Sequence, residues 1–292
     1  MRLEDYALLG DTQTAALVSA EGAIEWLCLP RFDSGACFAA LLGDADNGSW
    51  RIAPVGGGRA HSRHYRPGTL VLETLFATET GTVRIVDCMP VRGEAPDVVR
   101  LVEGLTGQVD LRMDLTIRFD YGRSVPWVRQ LDGGLQAVAG PDALYLRTPV
   151  RTRGEGRSTV AEFTVSAGEQ VPFVLTWNPS HLPPPRPIDA AQAVAGTEAW
   201  WRDWSGRCAD VGPHRDLVLR SLITLKALTY APTGGLVAAP TTSLPEEIGG
   251  VRNWDYRRRS CGGSWVARGG CRPRRARCRR GPSAVRRHGR SP

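Results

Sequence analysis

A strict alternation of apolar and polar residues between positions 109 and 119 constrains this chain more than any other feature. The apolar positions of this run are Val109, Leu111, Met113, Leu115, Ile117 and Phe119. Because successive side chains of a β-strand point to opposite faces, a period of two places all six on one face. The residues between them are charged or carry a hydroxyl. The run therefore predicts a long antiparallel strand with one buried and one solvated face.

Further strand-like segments bounded by turn residues extend from Thr14 to about Trp177. They are Ala15–Val18, Ile24–Leu29, Leu70–Thr78, Val83–Met89, Ala143–Arg147, Thr159–Val165 and Val171–Trp177. Strands and helices do not alternate in this stretch, which disfavours a doubly wound parallel sheet. We therefore expect a mainly β fold in which residues 1–182 form an antiparallel β-sandwich.

The pattern changes at the proline-rich segment Pro183–Pro187, which is typical of a stiff linker. Asp189 is placed to cap a helix that runs to about Cys208, so residues 183–212 are predicted to form a linker and a helix. The aromatic face of that helix is expected to pack against the sandwich; its tryptophans are Trp200, Trp201 and Trp204.

A second helix is predicted from Pro213, a favourable residue for a first helical turn, to Tyr230. It carries an apolar stripe formed by Leu217, Ser221, Thr224, Leu225 and Leu228. Two helices cannot bury a stripe of this width between them, because such a face needs a bundle around it. We therefore expect much of the stripe to be exposed in this chain.

The formal net charge of +7 is concentrated in residues 257–292, which hold 13 arginines and no acidic residue. The preceding residues hold 24 basic and 30 acidic side chains, a net charge of −6. One interpretation is a basic arm that binds nucleic acid. The other is an out-of-frame, disordered tail translated from a GC-rich gene. The absence of lysine and the presence of Cys261, Cys271 and Cys278 favour the second interpretation and disfavour nucleic acid as a partner.

Several classes of protein are excluded or disfavoured by composition. No apolar run is long enough to cross a membrane as a helix. The first residues include Glu4 and Asp5 where a signal peptide would be basic and then apolar, so we expect a cytoplasmic protein. The cysteines and histidines show no zinc-ligand spacing, and we assign no metal and no cofactor. Cys28, Cys37, Cys88 and Cys208 are interpreted as reduced thiols that pack as small apolar residues.

The most informative motif is GLVAAPTTSLPEEIGGVRNWDYR at residues 235–257. The opening of the chain contains EDYALLGDTQTAALVSAEGAIEWLCLPRFDSGACFAALLG, and HYRPGTLVLET and RFDYGR follow. Together these segments resemble glycoside hydrolase family 15, in its bacterial glucoamylase and trehalase-like branch. The resemblance covers roughly residues 3–257.

The resemblance implies a β-sandwich, a linker helix and an (α/α)6 barrel, of which residues 213–256 would be the first, incomplete part. It also implies hydrolysis of α-glucosides, such as trehalose or the ends of α-glucans, with inversion. Inversion needs a carboxylic acid and a carboxylate roughly 6.5–9.5 Å apart, so that a water fits between them and the sugar. In the family these two groups follow the NWDYR motif. We therefore assign no catalytic residue and expect this chain alone to be inactive.

Trp254, Asp255 and Arg257 are the candidate substrate-binding residues. An indole can stack on a sugar ring and a carboxylate accepts hydroxyl hydrogen bonds, although core packing and a salt bridge explain these residues equally well. The adjacent Glu246 and Glu247 are interpreted as a turn cap after Pro245. Two alternative functions stay open: a free-standing sandwich that binds a carbohydrate or a partner, and a nucleic-acid binder that uses the arginine-rich tail.

Overall fold

The structure is a computed structural model that describes residues 2–208, 212–245, 247, 250 and 258–259. The strands are β1 (Ala7–Gly10), β2 (Ala15–Val18), β3 (Ala23–Cys28), β4 (Ala36–Phe38), β5 (Ser49–Pro54), β6 (Ser62–Tyr65), β7 (Leu72–Ala77), β8 (Gly81–Cys88), β9 (Asp97–Thr116), β10 (Trp127–Leu131), β11 (Gly134–Ala139), β12 (Asp142–Arg147), β13 (Arg153–Glu155), β14 (Ser158–Ser166), β15 (Gln170–Pro179), β16 (Thr229–Tyr230), β17 (Gly235–Val237) and β18 (Arg258–Arg259). The α-helices are α1 (Ala190–Gly206) and α2 (Arg215–Ala227), and short 3-10 turns span Leu3–Asp5, Ala40–Leu42, Ala45–Asn47 and Gly212–His214.

Strands β1 to β15 form two antiparallel layers that share β9. The first layer has the order β1-β2-β3-β5-β9-β14-β13, with β4 beside β3. The second has the order β6-β7-β8-β9-β15-β12-β11-β10. A single apolar core that includes Ile52 and Met113 from the first layer and Ile85 and Phe173 from the second fills the space between them. The fold class is therefore confirmed as an antiparallel sandwich followed by a linker helix.

β9 is longer than the sequence pattern predicted, because it begins at Asp97 rather than near Val109. Its first half pairs with β8 and β15, and its second half pairs with β5 and β14. The transition lies at Gly104 and Gly107, where neighbouring strands approach closely. A Cβ atom on Gly104 would lie 2.1 Å from the Ser166 carbonyl oxygen, and Gly107 has a φ of +60°. Glycine permits both the close approach and the left-handed backbone.

Arg100 of β9 carries a buried positive charge into the core and connects the two layers. Its guanidinium donates from Nε to Asp87 Oδ1 at 2.8 Å, and both side chains are fully buried. It also donates to the main-chain carbonyls of Trp50, at 2.7 Å, and of Gly22, at 2.9 Å, in the first layer. These bonds compensate the loss of hydration that burial imposes on the charge.

The two helices lie against the sandwich. Asp189 caps α1 by accepting a hydrogen bond from the Gln192 amide at 2.8 Å, as the sequence predicted. Ala190 and Val194 pack on the outer face of the second layer. Trp201 and Trp204 are buried in a cluster that also contains residues of α2.

α2 is shorter than predicted, because the residues before and after it form other secondary structure. Residues 212–214 form a 3-10 turn, and Thr229 and Tyr230 pair with β17. Leu217 is 72% exposed and Leu225 is 39% exposed. Leu228 follows the helix and is buried, so the predicted stripe does not include it. The domain boundaries assigned from the sequence stay predictions.

We expect Arg100→Met to lower the free energy of unfolding by about 3–5 kcal/mol, because it leaves the Asp87 carboxylate buried without its partner. Arg153→Met is the matched control, since Arg153 is half-exposed and pairs with surface carboxylates. We expect that control to change the free energy by less than about 1 kcal/mol. Urea denaturation followed by far-UV circular dichroism measures both, and equal effects of the two variants would contradict the structural role of Arg100.

Candidate functional site

The segment that follows α2 returns to the sandwich before it reaches the NWDYR motif. The Ala231 amide donates to the Thr12 carbonyl at 2.8 Å, and the Val237 amide donates to the Leu228 carbonyl at 2.9 Å. Leu228 and Val237 are buried in a cluster with Phe32 of the LPRFDSG motif. The sequence motifs at the two ends of the resemblance are therefore in direct contact.

A buried carboxylate holds the loop that receives this segment. Asp11 Oδ1 accepts hydrogen bonds from the amides of Gln13 and Thr14, both at 2.8 Å. Its Oδ2 accepts from Arg92 Nε at 2.6 Å. Burial raises the pKa of Asp11, and the nearby Arg92 acts in the opposite direction. These bonds stabilise the left-handed backbone of Thr12, whose φ is 68°.

Three sandwich residues, Trp26, Cys28 and Tyr121, hold residues 240–244, and we call these three the anchor. Trp26 Nε1 donates to the Pro240 carbonyl at 3.0 Å, and the Tyr121 hydroxyl donates to the Ser243 carbonyl at 3.2 Å. Cys28 Sγ lies 3.3 Å from Ser243 Oγ. Leu244 packs on the same apolar cluster as Trp26 and Cys28. The anchor thus fixes the chain shortly before the predicted sugar-binding residues.

Tyr121 reaches this position through an unusual loop. Asp120 and Tyr121 have φ values of 50° and 59°, which non-glycine residues seldom adopt. A β-bridge between Phe119 and Ser124 closes the loop, and the Tyr121 ring lies 6.2 Å from the Trp26 ring. Such backbone conformations cost about 1–3 kcal/mol each and persist only where surrounding contacts require them. Here the contacts are those of the anchor.

The LPRFDSG motif adds a polar contact beside the anchor. Arg31 donates to both carboxylate oxygens of Asp33, at 2.8 and 2.6 Å. Its guanidinium also lies 5.5 Å from the centre of the Tyr230 ring. This pairing raises the pKa of Arg31 and keeps the residue charged. The arrangement joins the β3–β4 loop to β16.

The candidate residues Trp254, Asp255 and Arg257 lie outside the described residues, as does Glu246. Glu247 is exposed, and its main-chain carbonyl accepts a hydrogen bond from the Gly250 amide at 2.9 Å. Sequence reasoning missed the anchor and Asp11, although all four residues lie within the motifs that carry the resemblance. Only the fold shows that those motifs contact residues 228–244.

No group of three metal-ligating side chains occurs in the part of the chain that the structure describes. Cys28, Cys37 and Cys88 are buried free thiols. Burial raises the pKa of Cys28 and of Cys88 to about 12, and it raises the pKa of Cys37 as well. These thiols are therefore protonated at neutral pH and pack as apolar side chains. No described helix is long and apolar enough to cross a membrane.

We expect Cys28, Cys37 and Cys88 to resist alkylation by iodoacetamide at pH 8 in the folded chain. The reagent attacks the thiolate, and burial suppresses both its formation and its exposure. Peptide mass spectrometry measures the modified fraction at each cysteine, with a urea-unfolded sample as the control. Complete alkylation of Cys28 under native conditions would show that the anchor does not hold residues 240–244 in solution.

We expect Tyr121→Phe to remove the hydrogen bond to the Ser243 carbonyl and to reduce stability by about 0.5–1.5 kcal/mol. Amides of Thr242 and Leu244 should then exchange faster with deuterated solvent, as measured by mass spectrometry. Tyr145→Phe is the matched control, because the Tyr145 hydroxyl accepts a bond from Gln136 in the second layer. Unchanged exchange in Tyr121→Phe would contradict the anchoring role.

Comparison with known proteins identifies two matched regions. Residues 1–180 match the family described as "Trehalase-like, N-terminal", and residues 212–260 match "Glycosyl hydrolases family 15". The trehalase of Mycobacterium tuberculosis is 38% identical over 285 residues, which cover 87% of this chain and 41% of that protein. The trehalase of Thermoplasma volcanium is 29% identical and is covered to 42% of its length. The chain therefore spans less than half the length of these relatives.

A solved structure supports the fold independently. A bacterial glucoamylase in complex with acarbose has a TM-score of 0.56 at 11% identity, and the match covers 82% of this chain and 42% of the glucoamylase. The resemblance stated from the motifs is thus confirmed by sequence and by fold. The chain belongs to the trehalase-like N-terminal family, and the segment anchored to its sandwich matches family 15 of the glycosyl hydrolases.

Proposed function

We propose that this chain is the scaffolding part of an inverting α-glucoside hydrolase, in which the sandwich fixes the start of the sugar-binding segment. The observation that carries this proposal is the anchor. Trp26 and Tyr121 bind the Pro240 and Ser243 carbonyls, a few residues before the NWDYR motif. A substrate-binding segment held on a rigid β-sheet keeps its geometry better than one carried on a free loop.

Trehalose is the substrate that we propose for the intact enzyme. The relatives from Mycobacterium tuberculosis and Thermoplasma volcanium are trehalases, and this chain is 38% and 29% identical to them. The glucoamylase supports the broader class of α-linked glucosides through its shared fold. Trehalose and the ends of α-glucans both present an α-glucosyl group, so one sugar-binding segment suits either substrate.

We further propose that this polypeptide alone does not hydrolyse glycosides. A general acid in such an enzyme is a carboxyl group whose pKa is raised and which faces the substrate. Burial raises the pKa of Asp11 and of Asp97. Asp11 is bound by Arg92, and Asp97 accepts a hydrogen bond from Thr176 at 2.5 Å. Their engagement in structural contacts supports a non-catalytic role for both.

We infer that the residues after Arg257 are read out of frame. The support is compositional, since residues 257–292 hold 13 arginines and no acidic residue. The nucleotide sequence tests this inference. When the gene is translated in another reading frame after the codon for Tyr256 or Arg257, the encoded sequence should continue as a barrel helix that contains an Arg-Asp pair. If no reading frame encodes such a helix, the inference is wrong.

We expect purified chain to release no glucose from trehalose or maltooligosaccharides, because we assign no carboxyl pair of the kind that inversion requires among the described residues. A coupled glucose assay measures this, with Trp254→Ala as the variant that distinguishes true turnover from contamination. Release by the parent chain that disappears in Trp254→Ala would contradict the expected inactivity.

The frame-restored gene product tests the proposed substrate class in the same assay. We expect it to hydrolyse trehalose and to release one of the two glucose units initially as the β-anomer, which proton NMR detects. A frame-restored product that folds but leaves both trehalose and maltooligosaccharides intact would overturn the proposed function.

A further inference from the structure

A cavity of about 490 Å³ lies where three loops of the sandwich converge, and we call it the loop pocket. Its walls come from residues 29–35, 119–124 and 139–142. The first two of these segments belong to the motifs LPRFDSG and RFDYGR. Its volume falls within the range of about 300–1,000 Å³ that is typical of small-molecule sites. Neither the anchor nor Asp11 uses this cavity.

Two aspartates line the loop pocket, and their carboxylates have unused hydrogen-bonding capacity. Asp142 Oδ1 accepts a hydrogen bond from the Trp177 indole at 2.8 Å, and its other oxygen has no hydrogen-bond partner among the described residues. Among the described residues, the Asp120 carboxylate makes an ion pair with the exposed Arg123, at 3.7 Å, and no side-chain hydrogen bond. A carboxylate is an acceptor only, and it therefore suits a ligand that presents several hydroxyl donors.

The remaining lining residues offer the apolar surface and hydroxyls that such a ligand also needs. Pro30 and Pro141 provide accessible carbon surface, and Ser34 and Ser124 provide hydroxyl groups, whereas Leu29 and Phe119 are buried in the core behind the wall. A pyranose ring has carbon–hydrogen faces and a rim of hydroxyls, so it matches a pocket with both kinds of surface. Pockets that bind small molecules combine an apolar lining with a few placed polar groups in this way.

The left-handed loop makes the position of Asp120 rigid. Asp120 and its neighbour Tyr121 both have positive φ, and the Tyr121 side chain is held by Trp26 and by the Ser243 carbonyl. The Asp120 backbone also lies close to Gly35, where a Cβ atom would be 3.6 Å from the Asp120 Cα. Rigid placement of a binding group lowers the entropy lost when a ligand binds.

We propose that the loop pocket is a non-catalytic binding site for one glucosyl unit of a neutral α-glucoside. Asp120 and Asp142 accept hydrogen bonds from sugar hydroxyls, and Pro30 and Pro141 contact a carbon–hydrogen face of the ring. The two carboxylates repel an anionic sugar, so the site discriminates against sugar phosphates. The choice of α-glucosides rests on the proposed function, but binding here requires no hydrolysis.

Titration of the full chain with trehalose and with maltotriose tests the site, using isothermal calorimetry and tryptophan fluorescence. Trp177 reports on the pocket because its indole binds Asp142. We expect saturable binding of at least one of the two sugars, and at least tenfold weaker binding of glucose 6-phosphate than of glucose. Absence of saturation by both sugars, or equal binding of the phosphate, would overturn the proposal.

Site-directed variants locate the binding. We expect Asp120→Asn and Asp142→Asn each to weaken affinity at least tenfold, because an amide replaces a charged acceptor. Asparagine tolerates the left-handed backbone at position 120 and keeps an acceptor for Trp177 at position 142. Asp132→Asn is the matched control, since Asp132 is exposed at the opposite end of β11. Unchanged affinity in both pocket variants, with normal circular dichroism, places the sugar elsewhere and rejects this site.

Ser124→Ala provides a second variant in case an aspartate variant does not fold. We expect this variant to weaken sugar affinity about threefold, less than the aspartate variants do, because a hydrogen bond to a neutral hydroxyl contributes less than one to a carboxylate. The hydrolysis assay of the frame-restored enzyme separates this proposal from the proposed function. If the frame-restored enzyme hydrolyses trehalose, and its Asp120→Asn and Asp142→Asn variants keep both the same kinetics and the same sugar affinity, the loop pocket is rejected and the proposed function stands.

Discussion

The continuous hydrogen bonding of β9 through both layers is the constraint on which the rest of the structure depends. One strand of 20 residues pairs on two sides in each half, so the layers cannot shift independently. Because register in a sheet determines which face each side chain takes, a slip of one residue in β9 would turn the core residues of both layers to solvent. Gly104 and Gly107 allow the change of layer at a point where neighbouring backbones approach closely.

Arg100 adds specificity to this arrangement. Apolar packing alone tolerates many relative positions of two sheets, whereas a buried guanidinium must find its acceptors. Asp87 lies on the neighbouring strand, and the Trp50 and Gly22 carbonyls lie in the opposite layer. A displacement of the layers would take the two carbonyl acceptors away from the buried guanidinium, and a buried donor left without a partner costs about 1–3 kcal/mol. We interpret Arg100 as a determinant of layer position more than of total stability.

The same sandwich also forms the surface that holds residues 228–244. The loop before β2 receives Ala231, β3 supplies Trp26 and Cys28, and the loop after β9 supplies Tyr121. These groups come from distant parts of the sequence and converge on residues 228–244. The proposed scaffolding role and the proposed sugar site thus share one structural element, the left-handed turn at Asp120 and Tyr121, which serves the anchor on one side and the loop pocket on the other.

The sequence by itself determined the strand pattern, the cap at Asp189 and the family, because these depend on local periodicity, local hydrogen bonds and motif identity. It predicted β9 only from Val109 onward, since residues 97–107 include glycines and charged side chains that obscure a period of two. α2 also ends earlier than the sequence predicted, because Thr229 pairs with Leu236 where the last helical turn was expected. Only the tertiary structure decided that Trp26, Tyr121 and the loop held by Asp11 contact residues 228–244, and that Asp120 and Asp142 line one cavity. Those contacts join residues far apart in the chain, and no local pattern specifies which distant groups the folding of two shared layers brings together.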